Sequence, residues 1–91
     1  MDNERTAKHT ALIEREDDLL SQIDTCQQLI AAFWRFLLSL DEEVHLPTAR
    51  RLMIALNNVE RSIEEEMLDI RLALLSFTFS RKHAPPEGTK H

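Results

Sequence analysis

From Leu12 onward, apolar residues recur in steps of three and four: Leu12, Leu19, Ile23, Cys26, Ile30, Phe33, Leu37 and Leu40. From Leu19 the steps form an unbroken heptad seam, the period of a helix that buries one stripe against another helix. The pattern predicts a first helix over about residues 4–39, with Asp2 or Asn3 able to cap its start and nothing between Glu4 and Ser39 to break it. A second periodic segment reads Ala49, Leu52, Leu56, Val59, Ile63, Met67, Ile70, Leu74 and Phe77. It predicts a second helix over about 48–80. Its steps include one extra four, from Ile63 to Met67, which implies a local stutter. Without that stutter Glu66 would point inward.

Between the helices lies "LDEEVHLPT", read as a turn over about 40–47. Pro47 has no N–H to lose and a preset φ, so it suits the first turn of a new helix. The stretch at 81–91 cannot continue a helix past Pro85 and Pro86 and is expected as a flexible tail. Two long helices joined by a short turn make an antiparallel hairpin, each arm about 50 Å long. The fold class is all-α, with residues 1–80 as a single domain. Folding about residues 43–44 sets Arg71 near Asp17 and Asp18, and Arg61 near Asp24.

One seam per helix does not account for all the apolar residues. Ile13, Leu20 and Trp34 form a second stripe in the first helix, widened by Phe36 and Leu38. Met53, Met67, Leu72, Leu75 and Phe79 do the same in the second. "LIAAFWRFLLSL", Leu29–Leu40, carries one charge in twelve residues and lies at the tip of the hairpin. "LALLSFTFS", Leu72–Ser80, lies at the open end. Monomers rarely leave contiguous patches of this kind in water. Two hairpins packed antiparallel, tip to open end, would cover both with one self-complementary surface. The expectation is a homodimeric four-helix bundle. The expected interface residues are Phe33, Trp34, Phe36, Leu37 and Leu38 at the tip, with Leu72, Leu75, Phe77 and Phe79 as the complement. The alternatives are a three-helix monomer, broken near Asn57–Asn58, and a complex in which another protein's helix fills the groove.

Composition sharpens this picture. One Gly and three Pro in 91 residues, with 43% hydrophobic and 30% charged, favour an all-helical domain. A formal charge of −5 opposes association with nucleic acid or an anionic membrane surface. The longest apolar run is about a dozen residues, against roughly 20 needed to span a bilayer. The N-terminal "MDNERTAKHT" has charges where a secretory signal needs an apolar core. A single cysteine, Cys26, permits no internal disulfide. The reading is a soluble, cytoplasmic protein.

Candidate chemistry is sparse. Glu42-x-x-His45 has the spacing of carboxylate-bridged metal helices, but it occurs once and in the turn, so it reads as solvated loop. Glu64, Glu65 and Glu66 spread around a helix rather than converging. Glu60, Glu64, Glu65 and Asp69 nonetheless offer an acidic docking strip for a basic partner. Arg50 and Arg51, with Arg35 across the hairpin, could hold an anion, although the dipole at a helix N-terminus opposes them. Cys26 sits on the seam as a small packing residue. No cofactor or metal is expected.

"LLSQIDTCQQLIAAFWR" resembles the isoleucine–aspartate helix of the all-α chorismate mutases over less than a fifth of the chain. Leu20 and Leu37 stand where that pattern has arginines for a dicarboxylate substrate, so the chain is not assigned to the family. The resemblance implies, as the enzymatic alternative, a small helical dimer binding an anionic metabolite. A purely structural oligomerisation component is a third reading. The preferred one is a non-enzymatic regulator, adaptor or chaperone-like protein that binds another protein through helix–helix association.

Overall fold

A computed structural model of the chain describes residues 2–83. It contains two helices of 38 residues, α1 (Asp2–Ser39) and α2 (Leu46–His83), and no strand among the described residues. They pack against each other as an antiparallel hairpin. Residues equidistant from the turn lie side by side: Gln27 hydrogen-bonds Glu60 at 3.1 Å, and the His9 ring meets Phe77 edge-on at 5.7 Å between centroids. The molecule is 14 Å across its thinnest direction, a single layer of helices by comparison with a helix diameter of about 10–12 Å. Neither helix is long and apolar enough over the described residues to cross a membrane.

Local chemistry sets the ends. The Ser39 hydroxyl donates to the Phe36 carbonyl at 2.9 Å, occupying an acceptor that the helix end leaves open. α2 starts at Leu46, two residues ahead of expectation. The His45 carbonyl accepts from the N–H groups of both Thr48 and Ala49 at 3.0 Å, and the His45 ring meets the Thr48 hydroxyl at 2.6 Å. Pro47 then lies in the first turn, where its missing N–H has no helical partner to lose. α2 continues through Asn57 and Asn58 without a break. Asn57 donates its amide to the Met53 carbonyl at 3.0 Å, one turn back, rather than competing with the helix. The three-helix alternative is therefore excluded. α2 ends at His83, three residues beyond the expected limit. The rest of the tail, 84–91, lies outside the described residues.

The seam of α1 is the one that the sequence predicts: Leu19 is fully buried, and Leu12, Ile23, Cys26, Ile30, Phe33, Leu37 and Leu40 are half-buried. The seam of α2 differs. Its inward residues are Ala49, Met53, Leu56, Glu60, Ile63, Met67, Ile70, Leu74 and Phe77, an unbroken alternation of four and three. Leu52 and Val59, expected inside, are each 52% exposed. No stutter is needed, because the seam passes through Glu60, whose carboxylate accepts from Gln27 of α1. Leu19, Met53 and Met67 are the buried hydrophobic residues among those described. A single seam holds the hairpin together, and the large apolar side chains of the helices away from it stay at the surface.

Candidate functional site: two exposed apolar faces

Residues seven apart lie on one stripe of a helix, because seven residues make nearly two full turns. Off the seam, each helix therefore shows two flanking stripes, and contacts across the hairpin tie them into faces. Arg15 donates to Glu66 from Nε at 2.8 Å and also from a second guanidinium nitrogen. That contact places Arg15, Gln22, Leu29 and Phe36 of α1 beside Leu52, Val59 and Glu66 of α2, here termed the back face. A pocket of about 300 Å³ near the tip is lined by Trp34, Leu37, Leu46, Ala49, Arg50, Met53 and Ile54. It places the stripe Ile13, Leu20, Gln27, Trp34 beside the stripe Arg50, Asn57, Glu64, Arg71, with Ile54, Arg61, Leu68 and Leu75 one stripe further out on α2. This is the front face.

Both faces are more apolar toward the tip and carry ion pairs toward the open end. The back face is apolar only in its tip half, where Leu29, Phe36, Leu52 and Val59 are all more than half exposed. Its open half is closed by charge. Arg15 bridges Glu66 and Asp18, and Gln22 donates to the same Asp18 carboxylate at 2.7 Å. The Arg15 guanidinium is held above its ordinary pKa chiefly by its hydrogen bond to Glu66, with Asp18 adding to the effect. The front face has its apolar pocket at the tip, edged by Arg50, and the Arg71–Glu16 ion pair in its open half. Trp34 and Ile54 stand at the tip, Ile13, Leu20, Leu68 and Leu75 toward the open end, and polar Gln27, Arg61 and Glu64 at mid-height.

The predicted interface residues divide accordingly. Phe33, Leu37 and Phe77 are half-buried seam residues, so their main partners are within the hairpin. Phe77 also carries the edge of His9 and the Arg5 guanidinium, 5.8 Å from its ring centroid. Trp34 (51% exposed) and Phe36 (58%) are separated onto opposite faces. Leu38 is 82% exposed, one helical step round from Trp34. Leu72 and Phe79 lie on the outer edge of α2, next to the front-face residue Leu75, and all three are about half exposed. Ile54, Leu68, Leu46, Leu29, Leu52 and Val59 were not anticipated as surface residues. The seven-residue spacing of Ile54, Leu68 and Leu75 was the signal that could have found the front stripe.

The charged candidates do not converge. Glu60 is half-buried on the seam with exposed Glu64 one turn on, while Glu65 and Asp69 are exposed together, one turn apart, about 100° further round α2. They form no single strip. Arg50 lines the tip pocket, whereas Arg35 lines a separate shallow groove with Asp24, Gln27, Gln28 and Leu29 on the outside of α1. The three-arginine anion site is not assembled. Arg71 pairs with Glu16 at 3.1 Å instead of Asp17 or Asp18, since Glu16 stands on the seam side of that turn. Cys26 is half-buried beside Ser21, Gln22, Thr25 and Ile63. Among the described residues, no group of three or more His, Cys, Asp or Glu is placed to hold a metal ion. His45 is engaged with Thr48.

The chain matches no family model, and neither the curated proteins nor the solved structures include a match.

Proposed function

We propose that this hairpin is a non-enzymatic protein-binding module that works by helix–helix association, with self-association into a homodimeric four-helix bundle as its basal state. A regulator, adaptor or chaperone-like role follows, in which an exposed apolar surface is offered to a helix of a target protein. The observation that carries this reading is Trp34, half exposed on the rim of an apolar pocket at the end of an apolar stripe. Tryptophan is one of the residue types enriched among interface anchors. Leu20, Leu68 and Leu75 add exposed apolar area farther along the hairpin, around the Arg71–Glu16 ion pair.

The enzymatic reading draws less support. A pocket for a small anionic metabolite needs charges that converge, and Arg50 is the one ionisable side chain lining the tip pocket. The other residues lining that pocket carry no group to exchange a proton or share an anion.

Molar mass by light scattering over a hundredfold concentration range tests the proposal. A mass of two chains that falls to one on dilution supports it. A single-chain mass throughout, with no helical peptide or protein that binds the surface, sinks it. Masses that climb without limit would point to the purely structural reading.

A further inference from the structure

The homodimer reading above leaves open which surface the two copies share. Two short runs of side chains on the tip half of the back face bear on that choice. On α1, Thr25, Leu29, Ala32, Phe36 and Ser39 step by four, three, four and three residues, so they lie along one side of the helix. On α2, Thr48, Leu52, Ala55, Val59 and Ser62 repeat the same steps with the same kinds of residue. All ten are exposed and none is charged. Each run reads alike from either end: a small hydroxyl residue, a large apolar one, alanine, a large apolar one, a small hydroxyl residue.

We infer that this patch is a two-fold interface with a second copy of the chain, overlapping tip on tip about an axis at Ala32 and Ala55. The inference rests on the homodimer reading and adds the face, the register and the extent of the overlap.

The two alanines are level with each other. Ala32 lies five residues tipward of Gln27 and Ala55 five residues tipward of Glu60, and Gln27 meets Glu60 across the hairpin. One axis, perpendicular to the helices and lying between the two copies, therefore crosses α1 at Ala32 and α2 at Ala55 together. Rotation about it lays each helix antiparallel on its own counterpart. It sets Phe36 and Leu52 of one copy against Leu29 and Val59 of the second copy, and the converse, which makes two identical apolar layers. Alanine meets alanine at the axis, and the threonines meet the serines at the ends. An isologous contact requires a surface complementary to itself under this reversal, and both runs meet the requirement at one level. Nothing about a foreign helix calls for two matched, reversible runs, so the occupant is a second copy.

Charge limits the overlap. A full-length antiparallel overlap lays each tip on the other copy's open half, where Arg15, Asp18 and Glu66 stand on the back face and Arg71 and Glu16 on the front. Either choice takes ion pairs out of water beneath apolar side chains. In the tip-on-tip register the second copy's α1 ends at Ser39, opposite Thr25. Asp18 is seven residues farther down, about 10 Å at 1.5 Å per residue, so that cluster stays in water. The tip half of the front face offers no equal patch, since Arg50 lines its pocket and Arg61 follows Ile54 by seven residues.

The area is sufficient. At exposures of 52–58%, Leu29, Phe36, Leu52 and Val59, with the six small residues, leave roughly 700 Å² uncovered per chain, or on the order of 1,400 Å² for the pair, above the ~1,000 Å² that a specific interface needs. The Trp34 pocket, on the front face, stays open to a target helix.

Charge placed at the axis tests this without touching the seam. Ala32→Glu and Ala32→Lys each set like charges opposite one another, and each is expected to raise the dimer Kd on the order of tenfold or more. An equimolar mixture of the two variants pairs opposite charges across the axis and is expected to form a mixed dimer with a Kd near that of the wild type. Circular dichroism confirms that each variant remains helical. Wild-type chain that stays monomeric overturns the homodimer reading itself. A wild-type dimer indifferent to either variant, or variants that the mixture does not restore, overturns the proposed face and register alone. Dissociation by Ile54→Glu, with the Ala32 variants still dimeric, would move the interface to the front face.

Discussion

Replacing Phe36 by glutamine removes the largest exposed apolar side chain of the back face while leaving the seam intact. At 58% exposure, Phe36 presents roughly 140 Å² of surface, worth about 3 kcal/mol if covered at ~25 cal/mol per Å². A two-fold interface contains the residue twice, but incomplete burial and the loss of freedom on association reduce the gain. Phe36→Gln is therefore expected to weaken the dimer by at least about 3 kcal/mol, roughly a hundredfold in Kd. The assay is molar mass against concentration for both proteins, with far-UV circular dichroism to confirm retained helix. A second readout comes from the chain itself. Trp34 is its one tryptophan and stands on the front face, so its emission maximum should hold as dilution frees the dimer. A mass profile for Phe36→Gln that superimposes on the wild type refutes the reasoning, as does an emission maximum that moves with dilution.

Two further predictions concern the hairpin's own stability. Leu19 is the one fully buried large side chain among the described residues, so Leu19→Ala should cost about 2–5 kcal/mol. Urea unfolding at fixed chain concentration measures this, and a loss below ~1 kcal/mol would show that the single seam is not what holds the arms together. Glu60 puts a carboxylate on an otherwise apolar seam with one hydrogen bond from Gln27. Glu60→Leu should stabilise the hairpin by on the order of 1 kcal/mol, since removing a partly desolvated charge outweighs one exposed hydrogen bond. A lower urea midpoint for that variant would mean that Gln27 and Glu60 supply net stability.

The periodicity of α1 was legible because its seam residues are its most regularly spaced apolar residues. The period of α2 was legible, but its phase was not. Leu52 and Val59 offered an apolar path at steps compatible with a helix, and Glu60 argued against the true one. Choosing the more apolar path required an invented stutter. The cross-helix neighbours decide the phase instead: Met53 and Met67 fill space against α1, and Gln27 gives Glu60 a donor. Sequence spacing does separate Trp34 from Phe36, although both fall in one apolar run. Two residues apart on a helix means about 200° of rotation, so one cluster in the sequence became two faces in space.

What the sequence determined by itself was the all-helical state, the two arms, and the place of the turn around Pro47. These depend on local propensity, on the absence of breakers and on a period of three to four, all written along the chain. Only the tertiary structure decided which stripe of α2 faces α1, and therefore which apolar residues remain outside. That choice compares the packing of whole stripes against a partner helix, a quantity no single segment contains. The front and back faces follow from it: one with the tip pocket around Trp34 and the Arg71–Glu16 pair beyond it, the other half closed by Arg15, Asp18 and Glu66.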